Sequence, residues 1–133
     1  MVLRNICYGS ESMKENVLQS KSYEFALRIV ETYRSLVVQQ REYVLSKQLV
    51  RCGTSIGANV EEAIGSQSQR EFYAKLSIAY REARETHYWL RLLRDSHFID
   101  EPVSGPLLSD CEELLRIIGS IRKTLERNFS DNS

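Results

Sequence analysis

Residues 45–63 read LSKQLVRCGTSIGANVEEA. Within them Leu45, Leu49, Cys52, Ile56, Asn59 and Ala63 recur at spacings of 4-3-4-3-4. That period puts all six on one side of a helix, whereas a strand would distribute them over two faces. A seam of this kind packs against other helices, so the stretch predicts a helix over about 43–66 that belongs to a bundle.

Toward the N-terminus, Ala26, Ile29, Val30, Tyr33, Leu36 and Val37 share a face over about 21–40, with Arg28, Glu31 and Arg34 largely off it. Toward the C-terminus, Ser68-Gln69-Arg70-Glu71 has the form of a capping box, in which a hydroxyl and a carboxylate satisfy free amide donors. Phe72, Leu76, Ala79, Ala83, Leu90 and Leu93 follow it and predict a third helix to about Ser96. Pro102, Gly105 and Pro106 mark the next connection, after which Cys111, Leu114, Ile118, Ile121 and Leu125 predict a fourth helix to about Asn128. Short connections make consecutive helices antiparallel, so the expected fold class is all-α, an up-down-up-down four-helix bundle over residues 20–129. Residues 1–19, polar with Gly9 and several Ser, are expected to be a flexible tail, as are residues 130–133, and Met13 offers an alternative start.

The chain's 133 residues suit a single core. Eighteen Lys plus Arg balance eighteen Asp plus Glu, so attraction to nucleic acid or to an anionic membrane would require segregation of charge rather than net charge. Cys7, Cys52 and Cys111 are odd in number, widely spaced and without a C-x-x-C pair, which argues against a disulfide framework or zinc cluster and for a reducing cytoplasm. No apolar run approaches the ~20 residues that span a bilayer, and no signal peptide is evident.

Gly53 and Gly57 interrupt a helix in which each costs about 1 kcal/mol relative to Ala. Close approach of another backbone is the expected compensation, and a ligand on the bare backbone is the alternative. Gln48, Arg51, Ser55, Asn59 and Glu62 line one side of the same helix, where they suit a polar network that fixes helix register or a subunit contact. An active site is the less favoured reading of this line. The paired Glu-x-x-His motifs of di-metal bundles are missing, since Glu85-Thr86-His87 has the wrong spacing, and His97 stands alone. Phosphate-cradle, nucleophile-elbow and His-Glu-x-x-His motifs are missing too, so no catalytic residue, cofactor or metal is assigned.

The third helix carries Arg70, Tyr73, Arg81, Arg84, Tyr88 and Arg91 along one side, with Arg94 nearby. Arginine forks pair with phosphates and tyrosine rings stack on bases, so this side is a candidate surface for RNA, DNA or a nucleic-acid-processing partner. Glu71 stands four residues before Lys75 and Arg81 four before Glu85, so an ordinary salt-bridged face competes with that reading. Ile78, Trp89 and Leu92 lie outside the main stripe of the same helix, and oligomerisation would bury them.

Gln48-Leu49-Val50-Arg51, the run Ser55-Ile56-Gly57-Ala58-Asn59-Val60-Glu61-Glu62-Ala63, then Phe72, Ala79, Glu85 and Tyr88-Trp89-Leu90 resemble the bacterial four-helix-bundle family of 23S ribosomal RNA intervening-sequence proteins. The resemblance spans about residues 14–127. It implies a homopentameric bundle without an established activity. It extends distantly to the accessory variability protein of diversity-generating retroelements, a basic pentamer that binds nucleic acid and its reverse transcriptase. Gln48, Arg51, Ser55, Asn59, Glu62 and Glu85 match the family pattern, which supplies no catalytic role for them. A non-enzymatic, oligomeric binding or accessory protein is therefore expected, and a purely structural or protein-interaction bundle is the alternative.

Overall fold

The computed structural model describes residues 10–132, which form four helices: α1 (Ser10–Gln40), α2 (Leu45–Ile64), α3 (Gln69–Asp95) and α4 (Glu101–Asp131). Each helix packs against its neighbours in sequence, and α4 closes the bundle against α1. Cross-helix pairs run in opposing order at every seam. Gln19 meets Glu61 and Ile29 meets Gly53; Arg51 meets Glu85 and Lys75 meets Glu62; Ser77 meets Arg122 and His87 meets Glu112. All neighbours are thus antiparallel. The core is a continuous apolar column that includes Phe25, Ile29, Ile56, Leu76, Leu90, Leu114, Ile118 and Ile121, all essentially inaccessible to solvent.

Two expected boundaries move. Helix α1 begins at Ser10 rather than about residue 21. Ser22 and Leu18 are buried one and two steps before Phe25 on the 4-3-4 series, so the stripe reaches back into residues expected to be tail. Residues 1–9 of that expected tail, and Ser133 of the C-terminal one, lie outside the described residues, and α4 carries on through Ser130 to Asp131. The segment with Pro102, Gly105 and Pro106 is not a connection but the first turns of α4. Pro102 stands in the first turn, where the missing N–H has no intrahelical partner to lose. Pro106 forfeits a single bond, while Ser104, Leu107 and Leu108 are buried and hold the turn in place.

The helix ends show why the chain turns where it does. Ser68 Oγ accepts the Glu71 amide at 3.1 Å and the Glu71 carboxylate accepts the Gln67 amide at 3.2 Å, as a capping box requires apart from a one-residue displacement. Helix α2 is capped differently: the Glu42 carboxylate accepts the amides of Val44, Leu45 and Ser46, and the Ser46 hydroxyl donates to the Glu42 carbonyl. Arg41 and His97, just past the ends of α1 and α3, adopt left-handed φ values of 54° and 68° that reverse the chain.

The two glycines of α2 sit where α1 comes closest. A Cβ at Gly53 would lie 2.8 Å from Ile29 Cγ2, and one at Gly57 would lie 3.3 Å from the Ser22 carbonyl oxygen. Close helix packing therefore accounts for both.

Candidate nucleic-acid interface

The polar line on α2 divides into three. Arg51 donates to Gln48 Oε1 at 3.1 Å, pairs with the Glu85 carboxylate, and lies 3.6 Å from Glu82 Oε1. Trp89 Nε1 completes the cluster by donating to Glu85 at 2.9 Å. Ser55 and Asn59 instead turn to their own helix, donating to the carbonyls of Arg51 and Ser55. Glu62 accepts from Lys75 at 2.8 Å. Gln48, Arg51 and Glu85 thus come together, whereas Ser55, Asn59 and Glu62 do not join them. Glu82 and Trp89 join the polar group expected from the sequence, and their 3- and 4-residue offsets from Glu85 place them on one side of α3. With Arg51 about half exposed, the cluster locks the α2–α3 register at the surface.

These contacts alter the charge left on the rest of α3. Glu85 is directed to Arg51 and Lys75 to Glu62, so neither forms the intrahelical pair the spacing allows. Arg81 and Arg84 are exposed and make no ion pair among the described residues. Arg91 lies over the Tyr88 ring at 5.9 Å, and Tyr88 is 48% exposed. The remaining members are occupied elsewhere. Arg70 stacks on Phe129 of α4 at 4.0 Å, Tyr73 bonds Glu126 and meets Phe129 edge-on, and Arg94 pairs with its neighbour Asp95.

Helix α4 supplies a second set of cations. Arg122 lies over the rings of Tyr73 and Tyr80, at 5.3 and 5.0 Å from their centroids, and donates to Ser77 Oγ at 3.1 Å. Beyond it, Arg116, Lys123 and Arg127 line an open groove of about 670 Å³ whose floor includes Tyr80, Leu115 and Gly119. A smaller groove lined by Arg84, His87, Arg91, Glu112 and Leu115 adjoins it. These α4 residues lie beyond the surface expected on α3, and the sequence signal for them is the 7- and 4-residue spacing of Arg116, Lys123 and Arg127.

Glu112 and Glu126 line the two grooves, and Asp95 lies near Arg91 at one end. Glu112 is held by His87 at 2.9 Å, and Glu126 is held by Tyr73 with Arg122 near. Many of the balancing acids lie elsewhere: Glu113 and Asp110 pair with Lys21 and Arg28 at the α1–α4 seam, and Glu62, Glu82 and Glu85 serve the α2–α3 seam. A chain with no net charge therefore displays a basic face between α3 and α4. Among the described residues no His, Cys, Asp and Glu group is placed to hold a metal, and no helix is long and apolar enough to cross a membrane.

The two cysteines of the described core are free and buried. Burial pushes the Cys52 thiol up to about 11 and the Cys111 thiol up to about 12, so both stay protonated as small apolar groups.

Fold and surface together define an all-α four-helix bundle with a basic inter-helix face. The chain belongs to the 23S rRNA-intervening sequence protein family, whose model matches residues 14–120. It is similar to a crystal structure of a protein of unknown function from the S23 ribosomal protein family of Bacteroides thetaiotaomicron VPI-5482. The two share 47% identity over 83% of this chain and 98% of that one, with a TM-score of 0.81. No curated protein matches the chain.

Proposed function

We propose that the protein is a non-enzymatic, oligomeric accessory module that acts in the cytoplasm and binds nucleic acid through the α3–α4 face. The observation that carries the reading is the segregation of unpaired cations there: Arg81, Arg84 and Arg91 on α3, and Arg116, Lys123 and Arg127 on α4. Such cations exchange condensed counterions for phosphate contacts, the main source of affinity for a polyanion. The family's description as 23S rRNA-intervening sequence proteins adds support for an RNA partner. A homopentamer, as the family resemblance implies, would repeat the face and multiply the contacts.

Exposed apolar residues on α1 favour a second reading, a purely structural or protein-interaction bundle. Tyr23, Leu27 and Val38 are 63%, 55% and 75% exposed on its outer side, where a second copy would cover them. By contrast Ile78, Trp89 and Leu92 of α3, expected to need such cover, are already half-buried within the chain.

Titration of a structured RNA separates the two readings. Binding is expected at about 50 mM salt, to fall linearly as log affinity against log salt, and to weaken when Arg81, Arg84 and Arg91 are changed to Ala. Absence of binding at low salt would leave only the second reading. A stable monomer at micromolar concentration would remove the oligomer from both.

A further inference from the structure

We infer that the occupant of the α3–α4 face is the sugar-phosphate backbone of a nucleic-acid duplex, held without base stacking; the inference rests on the nucleic-acid reading above. Surfaces that bind single strands pair a cationic groove with a series of free aromatic faces, because successive bases need successive rings. Here the rings are occupied. Tyr73 and Tyr80 share the Arg122 guanidinium, and Tyr73 also meets Phe129, whose face carries Arg70. Tyr88 is the one tyrosine of the stripe left largely open, and Arg91 lies over it. Bases of a single strand would find one ring where they need several.

The cations form a long band instead. Ser77 opposite Arg122 and His87 opposite Glu112 fix the antiparallel register. In that register Arg127 is level with Phe72 and Arg116 with Ala83, so the α4 cations flank the first half of α3, while Arg84 and Arg91 flank the second. From Phe72 to Arg91 the band covers about 28 Å at 1.5 Å per residue. It crosses from one helix to the next, whose axes are about 8–10 Å apart. Duplex DNA rises about 3.4 Å per base pair along its axis, so a band laid along that axis spans roughly eight base pairs and meets the phosphates of whichever strand faces it. The duplex is also straight on this scale, with a persistence length of about 150 base pairs, whereas a single strand would lose conformational entropy on being laid along the band. Most of the band is arginine, whose fork suits paired phosphate oxygens.

Fluorescence anisotropy on the full chain provides the test, with a labelled 20-base-pair RNA duplex, the equivalent DNA duplex and the labelled single strand of each. At least one duplex should bind tenfold or more tighter than its single strand, and comparing the two duplexes identifies which source of phosphate is preferred. On the DNA duplex, six contacts give a log–log salt slope of about −5. Arg84→Ala should weaken duplex binding several-fold and reduce that slope by about one, while Tyr88→Ala should stay within twofold of the parent. Single strands bound as tightly as both duplexes, or a larger loss from Tyr88→Ala than from Arg84→Ala, would overturn the inference and leave the broader nucleic-acid reading standing. No binding to any of the four probes would overturn both. Helical circular dichroism of each variant confirms that the fold is intact.

Discussion

Gly53→Ala should destabilise the bundle even though alanine is the better helix former. The added Cβ would lie 2.8 Å from Ile29 Cγ2 and 3.0 Å from Ile29 Cγ1, closer than carbon atoms pack. Ile29 has no solvent exposure and a β-branched side chain with one preferred χ1, so it has little room to yield. Overpacking of this kind costs about 1–3 kcal/mol, against about 1 kcal/mol gained in helix propensity. The net expectation is a loss of up to about 2 kcal/mol when the two ranges are set against each other. Urea unfolding at fixed protein concentration should show the midpoint falling by up to about 1 M with little change in slope. Two further variants isolate the cause. A Cβ at Gly119 would meet Tyr80 only at 3.7 Å, an ordinary contact, so Gly119→Ala should keep its propensity gain and stabilise. Ile29→Ala alone should cost about 2–5 kcal/mol, but the double variant should cost less than the sum, because the new methyl enters the vacated space. A raised midpoint for Gly53→Ala, or strict additivity with Ile29→Ala, would refute the packing explanation.

Two other expectations concern charge. Burial pushes the Glu42 carboxyl up but is outweighed by the amides of Leu45, Ser46 and Val44, which hold it below the usual range. Glu42→Gln should cost about 1–2 kcal/mol at pH 7, as loss of a helix cap does. Because the folded pKa is depressed, that contribution is present above the unfolded value and is lost as pH falls through the folded one, so the gap between parent and variant in urea midpoints should close in acid. The core thiols have the opposite sign. Cys52 and Cys111 hold their protons to about 11 and about 12 when folded, so stability should fall as pH rises above about 9, where the unfolded chain ionises first. In a Cys7→Ser background a thiol reagent at pH 8 should label neither cysteine until the chain unfolds; fast labelling of the native protein would contradict their burial.

The seam that runs from Leu45 to Ala63 made the bundle legible, because a 4-3 repeat admits one secondary structure and demands helical partners. Its boundaries were less so. Leu18 and the exposed Val17 stand among polar residues, and only the buried Ser22 links Leu18 to Phe25 in the repeat. Pro102 and Pro106 read as a break because proline stops a helix interior, yet the first turn has no amide bond to lose and buried leucines stabilise the second. The basic face was legible only in part, since the stripe on α3 is a periodicity within one element, whereas its extension onto α4 depends on which helices become neighbours. Pairing across seams is invisible to spacing: Glu85 looked like a partner for Arg81 and belongs to Arg51. Arg70 and Tyr73, free on a helical wheel, are taken up by Phe129 and Glu126.

The central claim is that the location of the cations, not their number, makes this neutral chain a binder of nucleic acid. Two triple variants with the same change in net charge test it directly: Arg116→Gln, Lys123→Gln and Arg127→Gln on the basic face, against Lys21→Gln, Arg28→Gln and Lys75→Gln at the paired seams. The first set should reduce affinity for a structured RNA by tenfold or more at about 50 mM salt and flatten the salt slope by about three, while the second should stay within about twofold. Equal losses from the two sets would contradict the account.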